Sequence, residues 1–168
     1  VSGTGNPAGS ESNPWVVGKT ADDSVVAYTN GVGGVVIGGE GDMKDFTADD
    51  APWGKAITSA EIGGNVTGIG TNAFTGCASL TNVTVLATVP PSLGGGAFSG
   101  CDSLENILVP WETGDDYRAA SGWSEYAEKI LEMPGSAENP WTVGPEDDPD
   151  GTVAWTDGNG NVYFKPPR

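Results

Sequence analysis

Between Ala73 and Val109 the apolar positions of this chain return with a period of 24 residues. Ala73-Phe74-Thr75-Gly76-Cys77-Ala78-Ser79-Leu80-Thr81-Asn82-Val83-Thr84-Val85 aligns without a gap on Ala97-Phe98-Ser99-Gly100-Cys101-Asp102-Ser103-Leu104-Glu105-Asn106-Ile107-Leu108-Val109. Each copy ends in an alternation, Leu80-x-x-Val83-x-Val85 and Leu104-x-x-Ile107-x-Val109. That pattern turns every second side chain of a short strand inward. A degenerate copy precedes them: Ile57, Ala60 and Ile62 stand 23 residues before Leu80, Val83 and Val85, and Val66 and Ile69 match Val89 and Leu93. A fixed period of this size marks a solenoid, in which each repeat buries its apolar face by stacking on a neighbour. The spacing predicts strands near 58–62, 81–85 and 105–109, paired in parallel roughly 4.8 Å apart. Cys77 and Cys101, and Val83 and Ile107, should then lie in neighbouring coils. Residues 72–77 are too few for a long helix and are expected to make one helical or 3₁₀ turn closed by Gly76, as Gly100 closes its copy.

Outside the repeats the period changes. Residues 1–12 are almost devoid of apolar content and read as a flexible leader. Residues 13–56 read as an N-terminal β-hairpin unit. Ser24-Val25-Val26-Ala27-Tyr28 and Val35-Val36-Ile37 flank Asn30-Gly31, a strong hairpin signal, and Asn13-Pro14-Trp15-Val16-Val17 precedes them as a short extended piece. Residues 57–110 hold about three coils. Residues 111–133 read as a helical cap: Asp115 and Asp116 favour a helix start, and Tyr117, Trp123, Tyr126 and Ile130 give an apolar face interrupted near Gly122. Such a cap is physically required, because an open solenoid end exposes apolar side chains and unpaired strand edges. Residues 134–168 read as a second copy of the hairpin unit. Asn139-Pro140-Trp141-Thr142-Val143-Gly144 repeats Asn13-Pro14-Trp15-Val16-Val17-Gly18, and Val153-Ala154-Trp155-Thr156-Asp157-Gly158 repeats Val26-Ala27-Tyr28-Thr29-Asn30-Gly31.

The repeated A-F-x-G-C-x-S-L-x-x-[VI]-x-V pattern, with Val109-Pro110 closing its second copy, resembles the BspA-like leucine-rich repeats of bacterial surface proteins. The lead-in Val66-Thr67-Gly68-Ile69-Gly70-Thr71-Asn72 and the segment Tyr117–Tyr126 look like that family's lead-in and C-terminal cap. The likeness covers about residues 57–131. It implies a right-handed β-α superhelix, export, and a role in adhesion or in binding host or matrix proteins, and it carries no catalytic residues. The fold class expected is therefore mixed but mainly β: a short leucine-rich-repeat β-α solenoid between two β-hairpin units, with a helical cap after the repeats. Three coils and the long Pro90–Gly96 connection leave only a small concave face.

Charge and chemistry narrow the function. Seven Lys plus Arg against 23 Asp plus Glu give a formal charge of −16, which repels phosphate backbones and anionic membranes. No nucleic-acid partner is expected, and no run of about eighteen apolar residues exists for direct membrane insertion. Val1 begins the chain with neither Met nor a signal segment, as a processed form or an excised fragment would. With no His in the chain, the commonest general base and metal ligand is missing. Carboxylate pairs such as Asp22-Asp23, Asp49-Asp50 and Asp115-Asp116 are adjacent in sequence, whereas glycosidase pairs flank their bond from separated positions. The Asp147, Asp148, Asp150 loop and the Asp157, Asn159, Asn161 set suggest calcium, but Val162 stands where such a loop needs Gly. No metal site, cofactor or catalytic residue is assigned. Cys77 and Cys101 are read as two buried thiols, with a disulfide left open because stacked coils bring them within bridging range. Most of the six Trp are expected to pack inside the hairpin units and the cap.

Solenoid geometry puts any binding face on the outward strand residues Ser59, Glu61, Asn82, Thr84, Asn106 and Leu108. They are mostly small and polar, without the aromatic anchor that hot spots use. The function expected is a non-catalytic extracellular or surface-displayed bacterial module, a scaffold or adhesion element. Its partners would be a host or matrix protein or glycan, and neighbouring copies of itself in a longer chain. The alternative is a carbohydrate-binding accessory module of a larger secreted enzyme, which exposed hairpin Trp residues would favour.

Overall fold

The computed structural model describes residues 8–133, 141–142, 153–156 and 162–165. It is mainly β with few helices and divides into two units, Val1–Leu131 and Glu132–Arg168. The first unit opens with a meander: β1 (Trp15–Val16), β2 (Val26–Thr29) and β3 (Gly34–Gly38) pair antiparallel, Trp15 opposite Ala27 and Tyr28 opposite Val36. The turn between β2 and β3 is held by Asn30, whose Oδ1 accepts the N–H groups of Val32 and Gly34 at 3.0 and 2.9 Å.

After β4 (Gly41–Asp42) the repeat strands follow: β5 (Ser59–Ile62), β6 (Val66–Ile69), β7 (Asn82–Val85), β8 (Ser92–Leu93) and β9 (Asn106–Val109). β5, β7 and β9 begin within one residue of their expected places. They pair in parallel and in register, Ala60 with Val83 and Val83 with Ile107. β4, β6 and β8 form a second, shorter parallel sheet, in which Ile69 lies opposite Leu93. Val66 and Val89, aligned in the sequence, are not equivalent: Val66 is 1% exposed and Val89 75%. Val89 to Leu93 is one residue longer than Val66 to Ile69, and with that extra residue in the Pro90-Pro91 segment Val89 is exposed while Ala87 and Pro91 are buried.

The parallel ladder does not stop at β5. β3 pairs in parallel with it, Val35 opposite Ala60 and Ile37 opposite Ile62, so the main sheet runs β1-β2-β3-β5-β7-β9 and ends at β10 (Ile130–Glu132). Val35-x-Ile37 thus continues the inward alternation of the repeats one strand earlier than expected. Its inward positions, Val35, Ala60, Val83 and Ile107 in one row and Ile37, Ile62, Val85 and Val109 in the next, are all buried.

The turn after β6 departs from expectation, since residues 71–76 form turns and no helix or 3₁₀ segment. The N–H groups of Ala73, Thr75 and Cys77 bond three residues back, to Gly70, Asn72 and Phe74. Those of Phe74 and Gly76 instead leave the segment for the carbonyls of Ala97 and Ser99 in the next repeat, at 2.8 and 2.7 Å. A segment that sends every second donor to its neighbour cannot also close a helix. Gly76 and Gly100 end these turns with φ of 75° and 74°, a region that favours glycine. A chain of ring contacts runs beneath the turns: Phe46 to Trp53, Trp53 to Phe74, and Phe74 stacked on Phe98 at 5.4 Å between centroids.

Beyond β9 come α1 (Gly114–Ala119) and a 3₁₀ segment, Trp123–Lys129, broken by the non-helical backbone of Tyr126. Helical structure was expected here, but β10 at its end was not: Ile130 is buried in the core and Leu131 is half exposed. Tyr117 and Trp123 are fully buried. Their polar atoms are satisfied, Tyr117 Oη donating to the Ala87 carbonyl and Trp123 Nε1 to the Pro91 carbonyl, both at 2.7 Å.

The second unit is a meander of β11 (Trp141–Thr142), β12 (Val153–Thr156) and β13 (Val162–Lys165), paired antiparallel. The leader residues 1–7 and the residues suggested for calcium, Asp147, Asp148, Asp150, Asp157, Asn159 and Asn161, lie outside the described residues.

Candidate binding face

On a paired sheet, residues opposite one another share a face. Register therefore places the expected outward residues in two rows across β3, β5, β7 and β9. One holds Val36, Glu61, Thr84 and Leu108; the other holds Gly34, Ser59, Asn82 and Asn106. All six residues expected from the sequence fall in these rows. They alternate with the buried inward positions, and Glu61 and Asn82 are exposed while Ser59, Thr84, Asn106 and Leu108 are partly so. Along the second row Asn106 Nδ2 donates to Asn82 Oδ1 at 3.2 Å, and Asn82 Nδ2 to Thr81 Oγ1 at 3.1 Å. Where the strands begin, the Thr58 hydroxyl donates to the Gly33 carbonyl at 3.2 Å and the Thr81 hydroxyl to the Thr58 carbonyl at 3.1 Å. These bonds tie adjacent strands together at the rim of the face.

Sequence reasoning missed the N-terminal extension of this face. Because β3 joins the parallel ladder and β2 pairs with β3, Val36 and Tyr28 complete the first row: Tyr28, Val36, Glu61, Thr84, Leu108. The row therefore has an aromatic residue at one end and Leu108 at the other, with the Glu61 carboxylate between them. Partial burial, with Glu11 and Glu61 nearby, raises the Tyr28 phenol above its ordinary value, so it stays a neutral donor at physiological pH. The signal that would have found it was present: Val35-x-Ile37 repeats Ala60-x-Ile62, Val83-x-Val85 and Ile107-x-Val109.

Other polar clusters serve the fold. A cavity of about 210 Å³ opens on the second sheet, lined among others by Lys19, Asp42, Asp45, Gly68, Gly70 and Ser92. Its carboxylates are engaged: Asp42 Oδ1 accepts the Thr67 hydroxyl at 2.7 Å, and Asp45 Oδ1 the Thr71 N–H at 2.8 Å, which holds Asp45 below its ordinary value. Asp23 is lowered likewise, by the Asp42 N–H and by Thr20. Cys77 and Cys101 are free thiols, but only Cys77 is buried as expected; Cys101 is partly exposed. Cys77 Sγ donates to the Gly54 carbonyl at 3.7 Å and Cys101 Sγ to the Phe74 carbonyl at 3.1 Å. Burial pushes the Cys101 thiol up to about 11, with the neighbouring Cys77 adding to it, so neither is a ready nucleophile. Among the described residues no group of three or more His, Cys, Asp or Glu could hold a metal ion, and no helix is long and apolar enough to cross a membrane. Of the tryptophans, Trp53 and Trp123 are buried, Trp15 is half-buried against the core and Trp111 is 38% exposed.

The family model of the BspA type leucine-rich repeat region (6 copies) matches residues 51–115. Within that stretch the chain is similar to BspA-type leucine-rich repeats. The stretch contains β5 to β9 and every outward residue expected from the sequence, and that family points to a protein-binding or scaffold role. Among solved structures, a leucine-rich repeat protein from Eubacterium ventriosum ATCC 27560 is similar at 25% identity, over 55% of this chain and 27% of that one, with a TM-score of 0.38. None of the curated proteins compared matches this chain.

Proposed function

We propose that this chain is a non-catalytic binding module from a secreted or surface-displayed bacterial protein, and that the outward rows of the main sheet are its contact face. In this reading the leucine-rich repeats form a short solenoid. The β1-β2-β3 meander closes one end of it, and α1 with the 3₁₀ segment closes the other. The observation that carries the reading is the continuous row Tyr28, Val36, Glu61, Thr84, Leu108, in which a phenol, a carboxylate and an isolated leucine stand on a rigid five-strand platform. An aromatic anchor with a polar surround is the composition of protein contact sites. The partner that fits is a host or matrix protein carrying a basic residue for Glu61 between two apolar ones. Ser59, Asn82 and Asn106 would line the edge of the contact. The chain would act in adhesion or as a scaffold element, repeated along a longer protein.

The test is a binding screen of the chain against immobilised matrix proteins and glycans, followed by Tyr28→Ala, Glu61→Lys and Leu108→Asp. Each variant should melt within about 0.5 kcal/mol of the parent, as surface changes usually do, and should weaken capture of the same ligand at least tenfold. Retained affinity in all three would remove the face from the account. Capture confined to glycans, and lost on changing Trp15 or Trp111, would favour a carbohydrate-binding module instead.

A further inference from the structure

The two meanders share more than sequence. In the first, Trp15 lies opposite Ala27, and Val26, Ala27, Tyr28 and Thr29 lie opposite Gly38, Ile37, Val36 and Val35. In the second, Trp141 lies opposite Ala154, and Val153, Ala154, Trp155 and Thr156 lie opposite Lys165, Phe164, Tyr163 and Val162. Each partnership in β12 and β13 is that of β2 and β3 moved on by 127 residues, so the ladders have one register. Their outer edges differ. β3 gives its outer edge to β5, the Gly33 and Ile37 carbonyls accepting the N–H groups of Thr58 and Gly63 at 2.8 Å each. Among the described residues β13 is paired with β12 alone and ends its sheet.

We infer that the outer edge of β13 receives a parallel leucine-rich-repeat strand from a second copy of residues 57–131. The inference rests on the proposed recurrence of the module and deepens it by naming the joining edge. A strand like Ser59–Ile62 would lie beside Val162–Lys165 with the Ala60 position opposite Val162 and the Ile62 position opposite Phe164, by transfer of the β3–β5 register. An unpaired strand edge is a template for another strand. The occupant is argued from the first meander, where the same register presents the same edge to a repeat strand.

The decisive experiment is a longer chain in which residues 39–133 follow Lys165 directly. Lys165 holds Gly38's place in the register, so this junction restores the native exit from the strand. Pro166 would otherwise stand where Gly39 takes a φ of 95°, a value closed to proline. Amide exchange of Val162 and Phe164 should slow at least about tenfold relative to the 168-residue chain, as for amides drawn into a cooperative unit. The second pair of Cys77 and Cys101 thiols should become as unreactive as the first. Phe164→Pro in the same chain, which removes an N–H at Ile37's position, should return the second thiol pair to rapid labelling while the first stays protected. Unchanged exchange in β13, whether or not the second copy folds, would overturn the inference. So would slowing in the 168-residue chain that grows with protein concentration, the mark of β13 edges pairing with each other. Ligand capture is read separately on the 168-residue chain, so loss of the binding face leaves this result standing.

Discussion

Residues 73–85 and 97–109 are near copies in sequence, yet different neighbours complete them. The first is covered by the second. Ala97 and Ser99 accept its free N–H groups, Gly96 accepts the Thr75 hydroxyl at 2.6 Å, and Cys77 is 1% exposed. Among the described residues no third copy covers the second. The Trp123 and Tyr126 rings pack on Phe98 at 6.1 and 5.6 Å, Lys129 Nζ donates to the Leu104 carbonyl at 2.8 Å, and Cys101 stays partly exposed. A repeat therefore encodes one half of an interface. Where the other half is another repeat, backbone meets backbone; where the array ends, side chains of unrelated sequence must finish the bonding.

The comparison predicts the largest loss at the end of the array. Trp123→Ala should cost about 3–5 kcal/mol in urea denaturation, the usual range for a buried Trp truncation. Trp123→Phe keeps most of the ring but leaves the Pro91 carbonyl without its donor, and should cost about 1–3 kcal/mol. Equal costs for the two would mean that packing alone closes the array.

The two thiols sharpen the point. Cys77→Ser puts a hydroxyl at a buried position where the sulfur stands 3.7 Å from its Gly54 carbonyl acceptor, and should cost about 1–3 kcal/mol. Cys101→Ser sits nearer its acceptor, at 3.1 Å, and is partly exposed, so its cost should stay below about 1 kcal/mol. The reverse order would show that the first copy is no better covered than the second.

Alkali should then loosen the far end of the array first. Burial raises the thiol of Cys101 to about 11, and raises Cys77, Tyr117 and Tyr126 above their ordinary values. A raised acid keeps its proton in the fold while the unfolded chain gives it up. Its stabilising share is whole below pH 9, the ordinary thiol value, and drains as pH climbs through about 11. Urea midpoints measured across that window should fall, and Cys101→Ala should flatten part of the fall.

The smallest effect belongs to the outward face. Asn106→Ala removes the 3.2 Å bond to Asn82 and should cost about 0.2–1 kcal/mol, in the range of cross-strand pairs. A larger loss would make the asparagine row structural rather than a contact surface.

Much of this architecture was legible before any coordinates. The Leu80 and Leu104 copies announce themselves by period, and their strands fall within a residue of expectation because inward alternation leaves little freedom of register. The turn at 71–76 reads as helical in the sequence because a short apolar-rich segment closed by glycine resembles a helical turn. Its real form depends on Ala97 and Ser99, acceptors that local pattern does not reveal. β3 was hidden for another reason: Asn30-Gly31 is so strong a hairpin signal that Val35-x-Ile37 was assigned to it alone. A strand has two edges, and β3 uses one for β2 and the other for β5. That oversight also concealed Tyr28, the aromatic member of the face. The six outward repeat residues, by contrast, followed directly from alternation.

Cross-strand nuclear Overhauser contacts in solution decide whether the N-terminal meander and the repeats share one parallel sheet. Contacts between backbone protons of β3 and β5, centred on Val35 with Ala60 and Ile37 with Ile62, should be as strong as those between Ala60 and Val83. If the β5–β7 contacts appear and the β3–β5 contacts do not, the meander is separate from the array, and the proposed contact face loses Tyr28 and Val36.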